Sequence, residues 1–91
     1  LEPALKSALE RAAGQPVSVK VISYDPESKN SQSRTVQLAA ADLKLDTPIL
    51  PQLGLHSSDL FLMNIRPRSP AANAGLQKGD YVTSVDGVTV T

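Results

Sequence analysis

The sequence predicts a small α+β domain in which an antiparallel sheet is capped by one long and one short helix. Three observations lead to this prediction. Apolar residues recur at helical spacing from the first residue, two strand-like segments follow, and a short Ser-Pro-Ala helix lies between two further strands. With 91 residues, the chain is long enough for one modest core but not for two.

The composition excludes several classes of function. Nine basic and nine acidic side chains cancel, so we expect no nucleic-acid partner and no attraction to an anionic membrane. Cysteine is absent, which removes disulfides and cysteine-based zinc sites. No apolar run approaches the roughly 18–20 residues of a membrane span, so no direct membrane insertion is expected. The chain lacks an initiator methionine and stops within a predicted strand, so we expect it to be a piece of a longer protein.

The first part of the chain, residues 1–39, predicts one helix and two strands. Leucine and alanine recur on one helical face from the first residue, and Gly14 predicts the end of that helix. Residues 17–22 alternate valine with polar residues and predict a strand with one buried face. A polar hairpin loop is expected over residues 25–32, and a return strand over residues 34–39.

The middle of the chain shows little periodicity. Residues 40–52 contain Pro48 and Pro51 and predict an extended connector. The apolar run at residues 60–65 then predicts a buried strand by its length and its polar flanks. This strand leads into residues 66–87, which we call the signature segment.

The signature segment predicts a short helix, a turn, a strand and a hairpin turn. Ser69 is a good helix N-cap, and Pro70 suits the first helical position. Gly75 supplies the left-handed residue that ends the helix. After the strand that follows, Asp86 and Gly87 are typical of a two-residue hairpin turn.

This order of residues resembles the bacterial branch of the PDZ domain family, in which a Ser-Pro-Ala-x-x-Ala-Gly-Leu-x-x-Gly-Asp run precedes an apolar strand and an Asn/Asp-Gly turn. The matching residues are Ser69, Pro70, Ala71, Ala74, Gly75, Leu76, Gly79, Asp80, Val82, Val85, Asp86 and Gly87. The resemblance implies a PDZ-like small antiparallel sheet or partial barrel. It also implies a non-catalytic module that binds C-terminal or extended peptide segments by β-augmentation, the addition of a peptide strand to a sheet edge.

The order of the elements differs from that of the family, where the signature comes first and a long helix and two closing strands follow. Here residues 1–39 supply the helix and closing strands, and residues 53–91 supply the signature part. One explanation is a single domain over residues 1–91 in circularly permuted order, bridged by residues 40–52. The other is a fragment spanning two tandem PDZ domains. The permuted domain predicts a monomer, whereas a stable, concentration-independent dimer would indicate halves exchanged between two chains.

The same order is similar to the periplasmic region of bacterial site-2 intramembrane zinc metalloproteases, which carry two PDZ domains. That resemblance implies a regulatory module on the periplasmic side of an inner-membrane protein, with zinc only in the catalytic part of the parent. Residues 60–87 resemble the substrate-binding modules of periplasmic trypsin-like serine proteases equally well. A third alternative is a structural spacer whose groove is closed.

The PDZ resemblance places a peptide site at Leu53, Gly54 and Leu55. These residues would form the carboxylate loop of the family, where the missing Cβ of Gly54 lets the backbone approach a ligand. We therefore expect Gly54→Val to abolish carboxylate binding and to leave the fold intact. An edge strand from Leu55 to Ser57 would follow, with His56, the only histidine, on it.

The opposite wall of the groove would be the first helix, with Leu5, Ala8 and Leu9 as pocket residues. Each assignment has a structural alternative. In these alternatives the apolar stripe of the helix belongs to the core, Gly54 is an ordinary turn glycine, and His56 is a surface residue.

Catalysis is not expected of this chain. A single histidine and the absence of a His-Glu-x-x-His run leave no zinc-hydrolase site, and no serine lies on a Gly-x-Ser-x-Gly elbow. Asp80 and Asp86 are explained better as turn residues than as an acid/base pair. No catalytic residue, metal ligand or cofactor is predicted.

Overall fold

The computed structural model describes residues 1–39, 43–44 and 46–90. Part of the predicted connector (residues 40–42 and 45) and residue 91 of the predicted last strand lie outside the described residues. The elements are α1 (Glu2–Ala12), β1 (Val17–Asp25), β2 (Asn30–Leu38), α2 (Ile49–Leu53), β3 (Leu55–Ser58), β4 (Phe61–Ile65), α3 (Pro70–Ala74), β5 (Tyr81–Val85) and β6 (Val88–Thr89). The predicted fold class, a small α+β fold with an antiparallel sheet, is confirmed.

The six strands form one open antiparallel sheet in the order β2-β1-β5-β4-β3, with β6 paired to β5. The contact between β1 and β5 joins the first part of the chain to the signature segment. In this contact Val19 lies opposite Val85 and Ile22 lies opposite Tyr81, with a register shift between Lys20 and Val21. Both parts of the chain therefore contribute to the same sheet.

Helix α1 agrees with the apolar spacing that predicted it. Its buried residues are Leu5, Ala8 and Leu9, one turn or less apart on one face. The helix ends at a left-handed Ala13 (φ 52°, ψ 45°) rather than at Gly14, which also has a positive φ. Two successive left-handed residues turn the chain sharply from the helix into β1.

The predicted long loop between β1 and β2 is wrong, because the turn occupies residues 26–29 alone. The two strands pair without interruption from Val17 opposite Leu38 to Asp25 opposite Asn30. The Asp25 carboxylate accepts hydrogen bonds from the Glu27 N–H and the Ser28 hydroxyl, both at 3.0 Å, and so holds the turn. The start of β2 is exposed on both faces, so its sequence carries no alternation that would have identified a strand.

The end of the predicted extended connector is also different, because it forms the short helix α2. Pro48 stands extended at its N-cap, and Ile49 and Leu53 are buried. Pro51 is tolerated in the first turn because the N–H groups there have no partner within the helix. These five residues are too few for a helical period to be visible in the sequence.

The apolar run predicted a buried strand, but β4 is buried on one face only. Leu62 is fully buried, whereas Phe61 and Met63 are 43% and 45% exposed. Met63 has no partner on β3, because His56 lies opposite Asn64 and the next residue lies opposite Leu62. The run of apolar residues therefore includes one outward-facing side chain and one bulged side chain.

The signature segment forms the elements that its residues predict. The Ser69 hydroxyl accepts a hydrogen bond from the Ala72 N–H at 3.2 Å at the start of α3, and Gly75 (φ 99°) ends it. Asp86 and Gly87 have φ of 53° and 81°, the pair of positive values that a tight hairpin turn requires. The turn connects β5 to β6.

One apolar core lies between the sheet and helices α1, α2 and α3, and it draws on both parts of the chain. Its fully buried large side chains are Leu5, Val17, Val19, Val21, Leu38, Ile49, Leu53, Leu62, Val82 and Val85. Burial of this kind stabilises by about 1.5–3 kcal/mol per large aliphatic side chain. The core therefore couples the stability of α1 and the β1–β2 hairpin to that of the signature segment.

Candidate functional site

Strand β3 is one of the two outer strands of the sheet, as predicted for the edge strand that follows the carboxylate loop. Among the described residues it pairs with β4 alone. Leu55 faces the core, whereas His56 and Ser58 are exposed. A strand in this position presents unpaired N–H and C=O groups to which an extended peptide can bind.

Gly54 lies at the start of this strand in a left-handed conformation with φ 82°. Its N–H caps α2 by donating to the Pro51 carbonyl at 3.1 Å, and its carbonyl accepts from the Arg66 N–H at 2.8 Å. A Cβ added at Gly54 would overlap the side chain of Ser69, lying 2.5 Å from its Oγ. The expectation that Gly54→Val leaves the fold intact is therefore wrong, since the fold itself requires glycine here.

The predicted wall residues of α1 are in the core. Leu5 is 1% exposed, Ala8 is 0% exposed and Leu9 is 5% exposed. Leu53 and Leu55 are likewise buried, at 0% and 7%. Their side chains are thus not presented to solvent, and a role in contacting a peptide stays a prediction that requires α1 to move.

Of the seven predicted site residues, His56 has the most accessible side chain. It lies on the edge strand opposite Asn64, which is also exposed. His56 is therefore a surface residue, as the alternative to a binding role predicted, and it also lies on the edge that a peptide strand would occupy. Its contact with a peptide stays a prediction.

No motif or spacing in the sequence indicates that Glu2 takes part in this region. Its carboxylate accepts hydrogen bonds from the N–H groups of Ile49 at 2.6 Å and Leu50 at 3.0 Å, the first residues of α2. A carboxylate at this position satisfies N–H groups that lack partners within the helix and favours the positive end of the helix dipole. Glu2 therefore holds the start of α1 against the segment that leads into β3.

A second unpredicted cluster surrounds Asp80, which is 2% exposed. Its carboxylate accepts from the Gln77 N–H at 2.9 Å, in keeping with the predicted role in the turn. It also forms an ion pair with Arg34 of β2 at 2.7 Å and accepts from the Ser23 hydroxyl of β1 at 2.6 Å. Arg34 further donates to Ser23 and, at 2.8 Å, to the carbonyl of Gly75. Asp80 thus connects the signature segment to the β1–β2 hairpin.

Two polar clefts lie on other surfaces of the molecule. One, of about 340 Å³, is at the β1–β2 turn and is lined by residues that include Tyr24, Asn30 and Gln77. The other, of about 430 Å³, is beside the β5–β6 turn and includes Lys20 and Asp86. Neither contains a residue of the predicted peptide site.

Within residues 1–39, 43–44 and 46–90, no group of three or more histidine, cysteine, aspartate or glutamate side chains is placed to hold a metal ion. In the same part of the chain, no helix has the length and apolarity needed to cross a bilayer. Every buried side-chain nitrogen and oxygen among these residues has a hydrogen-bond partner.

An open sheet with an exposed outer strand beside a glycine turn is typical of interaction modules that add a peptide strand to their sheet. Residues 61–91, which are 31 of the 91, match the family model of the PDZ domain. The match starts at β4 and includes the whole signature segment. It supports a PDZ domain, a class of peptide-binding and protein-interaction module that is generally non-catalytic.

No curated protein and no solved structure matches the chain.

Proposed function

We propose that this chain is a non-catalytic PDZ module that binds a C-terminal or extended peptide segment as an added strand along β3. The observation that carries the proposal is the location of β3 (Leu55–Ser58) at the edge of the sheet, directly after the left-handed Gly54. Main-chain hydrogen bonds to β3 would provide affinity, and neighbouring apolar side chains would provide selectivity. Because a short peptide buries little area, we expect micromolar affinity or weaker.

The burial of α1 determines how such a peptide would enter. Leu5, Ala8 and Leu9 are already packed in the core, and Glu2 holds α1 to α2. A side-chain pocket between α1 and β3 therefore requires α1 to move away from the sheet. If it does not move, the chain is a structural spacer with a closed groove, and the burial of these three residues is the observation that favours this second candidate.

We also propose that residues 1–91 are one domain with the element order of a circularly permuted PDZ fold. The pairing of Val19 with Val85 and the ion pair of Arg34 with the buried Asp80 join the two parts of the chain. The radius of gyration of 12.5 Å is close to the roughly 12 Å expected of a compact domain of this length. These contacts support the permuted domain over the alternative that the two parts belong to separate tandem domains.

For the parent protein we propose a membrane-anchored site-2 zinc metalloprotease, with this module on the periplasmic side of the inner membrane. The support is the resemblance in element order described for the sequence. In that setting the module would control the access of substrates to the membrane-embedded active site. A His-Glu-x-x-His run and membrane spans in the flanking sequence are expected, whereas an upstream Ser-His-Asp protease domain would contradict this parent.

The binding proposal is tested by an NMR titration with peptides that end in apolar residues, each with a free and an amidated C-terminus. We expect shifts centred on residues 53–58 that saturate with the free acid and are lost or weakened on amidation. Saturable shift changes at residues of α1 as well would show that this helix takes part in binding the peptide. No saturable shift at millimolar peptide would contradict the proposal and favour the spacer.

A further inference from the structure

The two outer strands of the sheet are protected to different degrees. Strand β3 has four residues and a register shift in its pairing with β4. Strand β2 has nine residues and pairs with β1 through nine consecutive residue pairs without a shift. Short length and bulges are among the features that keep an edge strand from pairing with another chain. Strand β2 has neither of these features.

The residues of β2 add one protective feature, the inward-directed charge of Arg34. Throughout Asn30–Leu38 there is no proline and no lysine, and the one charged side chain, Arg34, is directed to the ion pair with Asp80. From Asn30 to Ser33 the strand is exposed. The strand is therefore neutral at its surface, regular and accessible over its first half.

The backbone of β2 is available on the side away from β1. Among the described residues β2 pairs with β1 alone, and it takes part in none of the backbone hydrogen bonds found outside the regular elements. In an antiparallel pair, alternate residues direct their N–H and C=O groups away from the partner strand. Helix α3 packs against β2, where the Arg34 side chain reaches the Gly75 carbonyl and the Val36 side chain lies nearest to Gly75. Residues Asn30 to Ser33 stay exposed beside this contact.

We propose that β2 pairs antiparallel with β2 of a second copy of this chain, about a two-fold axis at Ser33. With the axis there, Ser31 lies opposite Thr35, a pairing of hydroxyl side chains that is favourable across strands. Gln32 lies opposite Arg34, so the two arginines do not face each other. An axis one residue later would place Arg34 opposite Arg34, which like charges disfavour.

The self-complementary pattern is the reason to expect a second copy rather than an unrelated strand. An isologous interface requires each residue to be compatible with its partner under the two-fold operation, and residues 31–35 meet this requirement without any like-charge pair. The result would be a continuous sheet through two molecules. Its β3 edges lie at the two far ends and stay free, so this dimer does not depend on the proposed peptide function.

The test uses sedimentation equilibrium of the chain over micromolar to millimolar concentrations, with three single variants. Ser33→Lys and Ser33→Glu each place like charges opposite each other at the axis, and Ser58→Lys makes the same change at the exposed end of the β3 edge. We expect a concentration-dependent dimer for the unaltered chain. We expect the dissociation constant to rise about fivefold or more for each Ser33 variant, and Ser58→Lys to leave it unchanged.

Mixing the two Ser33 variants gives the decisive result. An equimolar mixture of Ser33→Lys and Ser33→Glu should regain the dimer, because opposite charges then meet at the axis. A chain that stays monomeric at millimolar concentration would overturn the proposal. So would a dimer that ignores the Ser33 changes, and so would a concentration-independent dimer, which indicates halves exchanged between chains.

Discussion

Residues 1–38 and residues 46–90 obtain their structures from different kinds of signal. In the first part, apolar spacing places α1 and β1, and the buried residues are those that the period selects. In the second part, short elements follow one another through turns that need particular residues, such as Gly54 and Gly75. A periodic element tolerates many sequences, whereas a turn with a positive φ or a close backbone approach tolerates few.

The largest difference between the two parts should appear at their glycines. Gly54→Ala forces a Cβ into the side chain of Ser69 at a positive φ, and it should lower the free energy of unfolding by about 3 kcal/mol. Gly14 is left-handed too, but a Cβ there would meet no atom within 4 Å, so Gly14→Ala should cost about 1 kcal/mol. Urea denaturation of both variants measures the difference. Equal losses would mean that Ser69 moves aside freely and that the close approach does not restrict Gly54.

A somewhat smaller effect is expected where the two parts are joined by charge. Arg34→Met leaves the buried Asp80 carboxylate without its ionic partner, and it should destabilise the fold by about 2–3 kcal/mol. Lys20→Met, at an exposed position on the neighbouring strand, serves as the control and should have little effect. Combining Arg34→Met with Asp80→Asn should cost less than the sum of the two single changes. Strict additivity of the two losses would show that the pair does not couple the hairpin to the signature segment.

The smallest effect is expected at the contact between Glu2 and α2. Glu2→Ala removes the acceptors for the Ile49 and Leu50 N–H groups and should cost about 1 kcal/mol. The rates of hydrogen exchange at these two amides should rise as the fold loses stability. Glu10→Ala changes an exposed glutamate near the other end of the same helix and is the matched control. Unchanged exchange at Ile49 and Leu50 would show that α2 is held by its apolar contacts alone.

Much of the fold was predictable because it rests on local signals. The spacing of Leu5 and Leu9 indicates α1, and the residues from Ser69 to Gly87 indicate α3, β5 and the turn into β6. Helix α2 was missed because it is five residues long and is capped by Glu2 from another element, 47 residues away at Ile49. The start of β2 was missed because it lies open on both faces, where no alternation is selected.

The edge strand next to the candidate site was predictable, but the contacts around it were not. The order Leu53, Gly54, Leu55 placed the edge strand correctly. The sequence did not show that Gly54 packs against Ser69, because this contact depends on how the chain returns after β4. Nor did it show that Arg34 is the partner of Asp80, because their separation of 46 residues is closed only by the sheet.

Cross-strand contacts between β1 and β5 show whether both parts of one chain form the same sheet. The measurement is the nuclear Overhauser effect between the backbone protons of Val19 and Val85, which lie opposite each other. Isotope-labelled chain is unfolded, mixed with a large excess of unlabelled chain, and refolded before the spectrum is recorded. The proposed single domain predicts that the Val19–Val85 contact keeps its full intensity, since both residues belong to the labelled chain. Loss of the contact on mixing would mean that the two parts pair between chains, and its absence from undiluted labelled chain would mean that they do not form one sheet.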